Sequence, residues 1–308
     1  MRYAFFPGCK IPHYVPHYGL ASRRVLAELG IELVDMEFSC CGYPMSHLYY
    51  QSSLLAAARG LAMAESQGLD LLTPCKCCFG SFKRAMYALE REPQRRRQVE
   101  RELAKEGLPY PQKSQAKHLL SVLYHDLGLP ALRQRIVRPY EHLNVAVLYG
   151  CHAMRPSKVT GFDNAYAPHI IEDLLEVTGA TSLPWAGRLK CCGAPLRDNN
   201  PQLSLEVIGQ RLRECQESGA DVLNVDCPHT LRQIKWAFEN LWPQSAELLR
   251  GVVLTPQLLG MAMGLAPSDL GLDENLPRAD YLYNYLAPKG WPGSERERQD
   301  ISTRSWNL

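Results

Sequence analysis

Short apolar runs that stop at glycine or proline beside a cysteine organise this chain. Leu143–Leu148 is one such run, closed by Gly150-Cys151. A continuous apolar stretch of that length predicts a buried strand feeding a loop. Residues Leu54–Ser66 are rich in Ala and Leu and predict a helix. Leu69–Leu72 follows as a strand, then Pro74 and a group of cysteines. Further on, Leu203–Gln216 predicts another helix and Val222–Val225 another strand, before Cys227-Pro228. Strands alternating with helices predict an α/β fold. The cysteines fall where a strand gives way to a helix, the carboxyl edge at which such folds build their sites.

The pattern occurs twice. The first copy runs Cys9, the pair Cys40-Cys41, then Cys75-Lys76-Cys77-Cys78. The second runs Cys151, the pair Cys191-Cys192, then Cys227-Pro228-His229-Thr230. Gly42 follows one pair and Gly193 the other. Cys40 and Cys191 lie 151 residues apart, Cys75 and Cys227 lie 152 apart, and Cys9 and Cys151 lie 142 apart. The flanks repeat too: Tyr3-Ala-Phe-Phe-Pro-Gly-Cys9 matches Val145-Ala-Val-Leu-Tyr-Gly-Cys151, and Cys40-Cys-Gly-Tyr-Pro44 matches Cys191-Cys-Gly-Ala-Pro195. Self-similarity of this kind means two copies of one unit. The expectation is two duplicated α/β domains about a pseudo-twofold axis, 1–141 and 142–276. An extension, 277–308, packs along the body or on a partner subunit, because Tyr281, Tyr283, Tyr285, Trp291 and Trp306 make it too aromatic for a disordered tail.

Composition narrows the class. With 308 residues there is length for two cores, and 46% apolar with 21% charged residues is ordinary for a globular protein. The 34 basic and 32 acidic residues leave a charge of +2, so no global basic field points to nucleic acid. Pro7-Gly8 interrupts the first apolar residues, which argues against a signal peptide. The longest apolar candidate elsewhere, Leu258–Ala266, falls far short of a membrane span. The chain is expected in the cytoplasm.

Eleven cysteines in a reducing compartment point to metal or redox chemistry rather than disulfides. Ten lie in or beside the two groups; Cys215 stands apart, inside a predicted helix, as a structural residue. Thiolates are the usual ligands of iron–sulfur clusters, and structural zinc also takes four. Zinc sites draw on two short knuckles, whereas these ligands come from three places. Side chains of adjacent cysteines diverge, which suits separate irons of a cluster better than one small ion. In the second half, four cysteines with a nearby histidine come closer to what zinc tolerates.

The doubled Cys-Cys-Gly element, with a distant upstream cysteine and a downstream Cys-x-x-Cys, resembles the CCG-domain family typified by the B subunit of heterodisulfide reductase. The resemblance extends from Cys9 through Leu254-Thr-Pro-Gln-Leu-Leu-Gly260 and Leu270-Gly-Leu-Asp273. It implies a noncubane 4Fe–4S cluster held by five cysteines, here Cys9, Cys40, Cys41, Cys75 and Cys78. Cys77 is then a spare thiol: a small buried residue, a thiol beside the cluster, or an alternative ligand. The second half departs from the family pattern, since Thr230 stands at the last cysteine position. Cys151, Cys191, Cys192 and Cys227 then hold a second iron–sulfur cluster of uncertain type. It is a cubane on four cysteines, a cluster with His229 as nitrogen ligand, or a noncubane with an open or oxygen-ligated iron. His152 and Arg155, just after Cys151, are candidates to line an anionic pocket, with His47 and His229 as further candidates.

In the family the paired clusters split a disulfide between them, with electrons arriving singly from a partner. The resemblance therefore implies an oxidoreductase subunit acting on a disulfide or thiol-bound sulfur substrate. It also implies partners: an iron–sulfur electron-transfer subunit and a flavin-containing subunit. The altered second site resembles variants in the heterodisulfide-reductase-like complexes of sulfur-oxidising bacteria. The alternatives are a pure electron-transfer subunit of a lactate-, glycolate- or succinate-type oxidoreductase, and a zinc-stabilised scaffold. The sequence carries no nucleotide-binding glycine loop and no flavin or nicotinamide fingerprint. The charge-dense stretch Glu90–Glu106, with Arg95-Arg96-Arg97, reads as a solvated helix face or as a docking patch for an acidic partner.

Overall fold

The computed structural model describes residues 1–241, 250–275 and 279–288. Each half builds a four-stranded parallel sheet. In the first half β1 (Arg2–Phe5), β2 (Glu32–Asp35), β3 (Asp70–Thr73) and β4 (Ala116–His118) are ordered β2-β1-β3-β4. In the second, β5 (Asn144–Val147), β6 (Thr181–Leu183), β7 (Val222–Asn224) and β8 (Val252–Val253) are ordered β6-β5-β7-β8. The registers correspond: Ala4 pairs with Val34 and Leu71, and Ala146 with Leu183 and Leu223. The duplicated α/β architecture read from the cysteine repeat is the architecture observed.

The two central strands of each sheet are covered on both faces, so past a polar first residue in β1, β3 and β5 they are buried without alternation. That is why they were legible as runs. Leu143 and Leu148 flank β5, are buried, and continue its pairing: the Leu143 carbonyl accepts from the Thr181 N–H at 2.8 Å and the Leu148 N–H donates to the Asn224 carbonyl at 3.0 Å. The predicted helices are present as Tyr50–Ser66 and Pro201–Glu217, each a few residues longer than the apolar pattern. The stretch Glu90–Glu106 lies mostly in a helix, Pro93–Lys105, that buries only Val99 and Leu103. Its charges pair locally, Arg95 with Glu92 and Arg96 with Glu100.

The halves share a core. One apolar cluster runs from Phe5, Val25 and Leu71 to Leu258 and Met261, and a smaller one surrounds Trp185, Ile208 and Ile234. The buried helix Thr255–Ala262 of the second half packs on Pro16–Glu28 of the first. Residues 279–288 lie along the body: Leu286 bridges Tyr140, the Ala287 N–H donates to the Pro139 carbonyl at 2.9 Å, and the Tyr281 hydroxyl donates to the Asp221 carbonyl at 2.9 Å. Trp291 and Trp306 lie outside the described residues. Among the described residues no helix is long and apolar enough to cross a membrane.

Candidate functional site

Four of the cysteine positions sit at the carboxyl ends of central strands and open helices. Cys9 follows β1 and precedes Lys10–Tyr14, and Cys75 follows β3 and precedes Lys76–Arg91. Cys151 opens Cys151–Met154 after β5, and Cys227 precedes Pro228–Leu241 after β7. Thiolates at such positions meet free backbone N–H groups and the positive end of the helix dipole. The pairs Cys40-Cys41 and Cys191-Cys192 lie in the loops after β2 and β6, each followed by a short 3-10 turn. Gly42 and Gly193, at φ 80° and 79°, start those turns. At Gly42 a Cβ would stand 2.5 Å from the Ser53 carbonyl oxygen, so the backbone there tolerates no side chain.

The side chains form one connected series. In the first half Cys9 contacts Cys40, Cys40 contacts Cys41, Cys41 contacts Cys78, and Cys78 contacts Cys75. In the second half Cys191 contacts Cys192, the Thr230 hydroxyl stands between Cys192 and Cys227, and Cys151 lies in the fields of Cys227 and Cys191. Thr230 thus fills the place that Cys78 fills between Cys41 and Cys75. The two series meet: Cys77 contacts both Cys75 and Cys227. All eleven cysteines are free thiols.

This crowding splits the thiol acidities. Hydrogen bonds from Cys41, Cys9 and backbone amides push Cys40 far below the ordinary thiol range, while Cys9 and Cys41, hydrogen-bonded to Cys40, are pushed up. Cys75 is pushed down by Cys77 and Cys78, and Cys227 by Cys77 to about 7. Cys191 falls to about 6, first through Cys192, with Arg155 contributing. Burial raises Cys151, and Cys192 is raised by its bond to Cys191. Thiols packed this closely cannot all ionise unless a cation shares their charge, which is the electrostatic character of a metal-ligand set.

Several contacts tie the halves together here. The buried Tyr18 hydroxyl donates to the Pro74 carbonyl at 2.8 Å and lies 3.4 Å from the Asp226 carbonyl, the residues before Cys75 and Cys227. His152 places Nδ1 3.0 Å from the Cys77 sulfur and Nε2 2.8 Å from the Tyr43 hydroxyl. A Cβ at Gly80 would lie 2.3 Å from the His152 carbonyl oxygen, so the helix Lys76–Arg91 abuts the second half.

Cations surround the thiols. Lys76 is 0% exposed, its Nζ lacks a hydrogen-bond partner, and it faces the rings of Tyr149 and Phe162 at 5.6 and 6.0 Å. Burial pulls its pKa down, while Asp226, Cys227 and Cys77 act to raise it. Sequence pattern does not single out Lys76; a lysine inside the Cys75–Cys78 loop is the available signal. Arg84 lies in the fields of Cys77, Cys41 and Cys151, and escapes sequence reasoning because it sits a turn beyond the motif.

Of the histidines and arginine flagged by sequence, His152 and Arg155 do reach this region. Arg155 is exposed, donates to the Leu189 carbonyl at 3.2 Å, and acts on Cys151 and Cys191. His229 is half-buried, 5.8 Å ring to ring from Tyr43, and in the field of Cys75. His47 is exposed. Cys215 is buried in the helix Pro201–Glu217, within the smaller apolar cluster and away from both thiol groups.

Among the described residues no three or more His, Cys, Asp or Glu side chains are grouped as a single metal ion requires. A mononuclear tetrahedral site needs its four sulfurs in mutual contact. A series of pairwise contacts over several loops fits a cluster better, because its ligands bind different irons.

Comparison with known proteins agrees with the repeat. The family described as "Cysteine-rich domain", CCG, matches residues 3–83 and again 145–235. The chain is 30% identical over 282 residues to the B subunit of the ferredoxin/F(420)H(2)-dependent CoB-CoM heterodisulfide reductase of Methanosarcina acetivorans, covering 89% of this chain and 93% of that one. It is 31% identical over 284 residues to the 8-methylmenaquinol:fumarate reductase membrane anchor subunit of Wolinella succinogenes, covering 91% and 99%. A solved structure described as a hypothetical protein from Helicobacter pylori shares the fold, with a TM-score of 0.67 at 18% identity. That likeness covers 90% of this chain and 52% of the other.

Proposed function

The chain belongs to the cysteine-rich CCG family and is similar to the B subunit of heterodisulfide reductase over most of its length, and from that premise we propose that it is the iron–sulfur subunit of a heterodisulfide-reductase-like complex. Its substrate is a disulfide or thiol-bound sulfur species, and its electrons are exchanged with partner subunits. The observation that carries this reading is the connected series of side chains from Cys9 to Cys191, interrupted by the Thr230 hydroxyl alone, in which the two halves meet at Cys75, Cys77 and Cys227. Reducing a disulfide takes two electrons, and two adjoining one-electron centres match that need.

Cys9, Cys40, Cys41, Cys75 and Cys78 would hold a noncubane 4Fe–4S cluster, and Cys151, Cys191, Cys192 and Cys227 a second cluster. When bound, such clusters pass single electrons and offer iron to sulfur ligands. The chain's residues set the surroundings. Cys75, Cys78 and Cys227 are 2–4% exposed and form a dry base, while Cys9 and Cys191 are exposed and leave an edge at which a substrate sulfur enters. Lys76, Arg84 and Arg155 offset the negative charge that gathered thiolates bring. Tyr43 and His152 hold the seam between the halves.

A second reading, electron relay alone, is favoured by the Wolinella relative, whose name places it in a quinol:fumarate reductase. One experiment separates these. Iron, zinc and sulfide are measured with EPR on anaerobic wild type, Cys41→Ala and Cys192→Ala, before and after adding a disulfide or thiol. Two clusters, each lost in one variant and perturbed by the additive, are expected. Signals indifferent to every thiol and disulfide would favour relay, and zinc without sulfide would make the chain a zinc scaffold.

A further inference from the structure

The second site is one thiolate short, and the first half has one to spare. Counted from Cys75 and Cys227, Cys77 corresponds to His229 and Cys78 to Thr230. Cys78 turns inward and completes the first series between Cys41 and Cys75. Thr230 turns the same way in the second half, but its hydroxyl is a far poorer ligand for iron than a thiolate.

The neighbouring position behaves differently in both halves: it comes near a thiol of the opposite half. His229 lies in the field of Cys75, a first-half thiol. Cys77 lies between Cys75 of its own half and Cys227, a second-half thiol, and is held by His152, which follows the second-half Cys151. Cys77 is 2% exposed, so it is no surface thiol. The first half already supplies five thiols without it. Backbone is close-packed across this seam at Gly80 and His152, and Tyr18 ties the carbonyls before Cys75 and Cys227. The position of Cys77 relative to the second half is thus set by rigid elements.

We infer that Cys77, carried on the first turn of the first half's helix Lys76–Arg91, is the fifth thiolate of the second cluster site and takes over the role that Thr230 cannot fill. Ligation forms an iron–sulfur bond as the thiol proton leaves to solvent; no electron moves in that step. With Cys77 a thiolate, His152 is fixed as the Nδ1–H tautomer, donating to the Cys77 sulfur and accepting from the Tyr43 hydroxyl at Nε2. The site is then shared between the halves, and neither half would hold the second cluster alone.

This inference rests on the cluster reading above, and its test keeps the two apart. Full-length Cys77→Ala and the double variant Cys77→Ala with Thr230→Cys are purified anaerobically beside wild type, Cys41→Ala and Cys192→Ala. Iron and sulfide content, Mössbauer and EPR spectra are recorded. Cys77→Ala is expected to lose or convert the signal that Cys192→Ala abolishes, leave the Cys41-dependent signal at wild-type intensity, and regain the second signal in the double variant. Unchanged spectra in Cys77→Ala overturn the assignment while leaving two clusters in place, as does a change confined to the Cys41-dependent signal. A wild-type chain without iron and sulfide overturns the cluster reading itself.

Discussion

The Nδ1 of His152 lies 3.0 Å from the sulfur of Cys77, so a residue adjacent in sequence to one half's thiol grips a thiol of the other half. Tyr43, three residues beyond Cys40, closes the link through Nε2 at 2.8 Å. Burial keeps this imidazole neutral, with a pKa pulled down to about 4. The seam between the halves therefore runs through a neutral imidazole that links Tyr43 to Cys77, and its members are open to substitution one at a time.

Replacing His152 with Leu removes the donor to sulfur while keeping a side chain of similar size. Donors to a ligand sulfur stabilise the reduced, more negative state. The second-site midpoint potential should fall by roughly 60 mV, the equivalent of one hydrogen bond of about 1.4 kcal/mol for a single electron. Redox-titrated EPR measures it, and Tyr43→Phe should give a smaller shift of the same sign. No change in potential in either variant would show that this hydrogen bond does not tune the site.

Lys76→Met tests whether the buried amine serves stability or the thiols. Its Nζ has no hydrogen-bond partner and faces two aromatic rings, so methionine replaces a buried amine, balanced only at a distance by Asp226, with an apolar chain of similar length. The metal-free chain is expected to unfold at equal or higher denaturant concentration, by up to about 2 kcal/mol. The loaded chain should show a lower reduction potential at the second site, because a positive charge near Cys227 is lost. Chemical unfolding and redox titration read the two effects separately.

Gly42→Ala and Gly193→Ala should differ. Both glycines have positive φ, which costs alanine about 1 kcal/mol. At Gly42 the added carbon also meets backbone, 2.5 Å from the Ser53 oxygen and 2.8 Å from its Cα. At Gly193 the nearest atoms are at 3.0–3.1 Å and include the Val207 side chain. Gly42→Ala is therefore expected to lose the Cys41-dependent iron, and Gly193→Ala to retain most of its own. Equal iron loss in the two variants would mean that backbone conformation alone, not the Ser53 contact, sets the requirement.

Acid should destabilise the protein through buried neutral histidines. Burial lowers His118 far below its ordinary value and His17 to about 4. Below pH about 6.5 the unfolded chain takes up protons that the folded chain refuses, so stability is full above that pH and falls as pH drops through it. The loss approaches about 1.4 kcal/mol per pH unit for each such group. His169 acts in the opposite sense, since its bond to Asp173 raises it, but it is exposed and its contribution is small. His118→Asn keeps an acceptor for the Leu120 N–H and should flatten the fall in denaturation midpoint between pH about 7.5 and about 5.5, the range around the ordinary histidine value. A slope identical to wild type would clear His118 of the effect.

Much of the fold was legible because its central strands are covered on both faces. Burial of that kind leaves unbroken apolar runs such as Val145–Leu148, and duplication supplied each reading with a second copy. The outer strands were not legible: β2 is half-exposed and β8 has two residues, too little side chain to imprint a pattern. The grouping of the cysteines was legible because the repeat marks the loops that carry them, and the structure brings those loops together within each half. Lys76 and Arg84 escaped notice because nothing local distinguishes a buried lysine from a solvated one.

The chain's order of residues by itself determined two α/β units, their cysteine loops at the strand ends, and the asymmetry of Cys77 and Cys78 against His229 and Thr230. Which half each of those side chains serves was decided only by tertiary structure. Residues one position apart at the start of a helix point about 100° apart, so Cys78 turns to Cys41 of its own half while Cys77, beside Cys75, also reaches outward. Where outward leads depends on the neighbour packed there, and that neighbour is the second half, brought to Cys77 by an apolar core common to both halves of the chain.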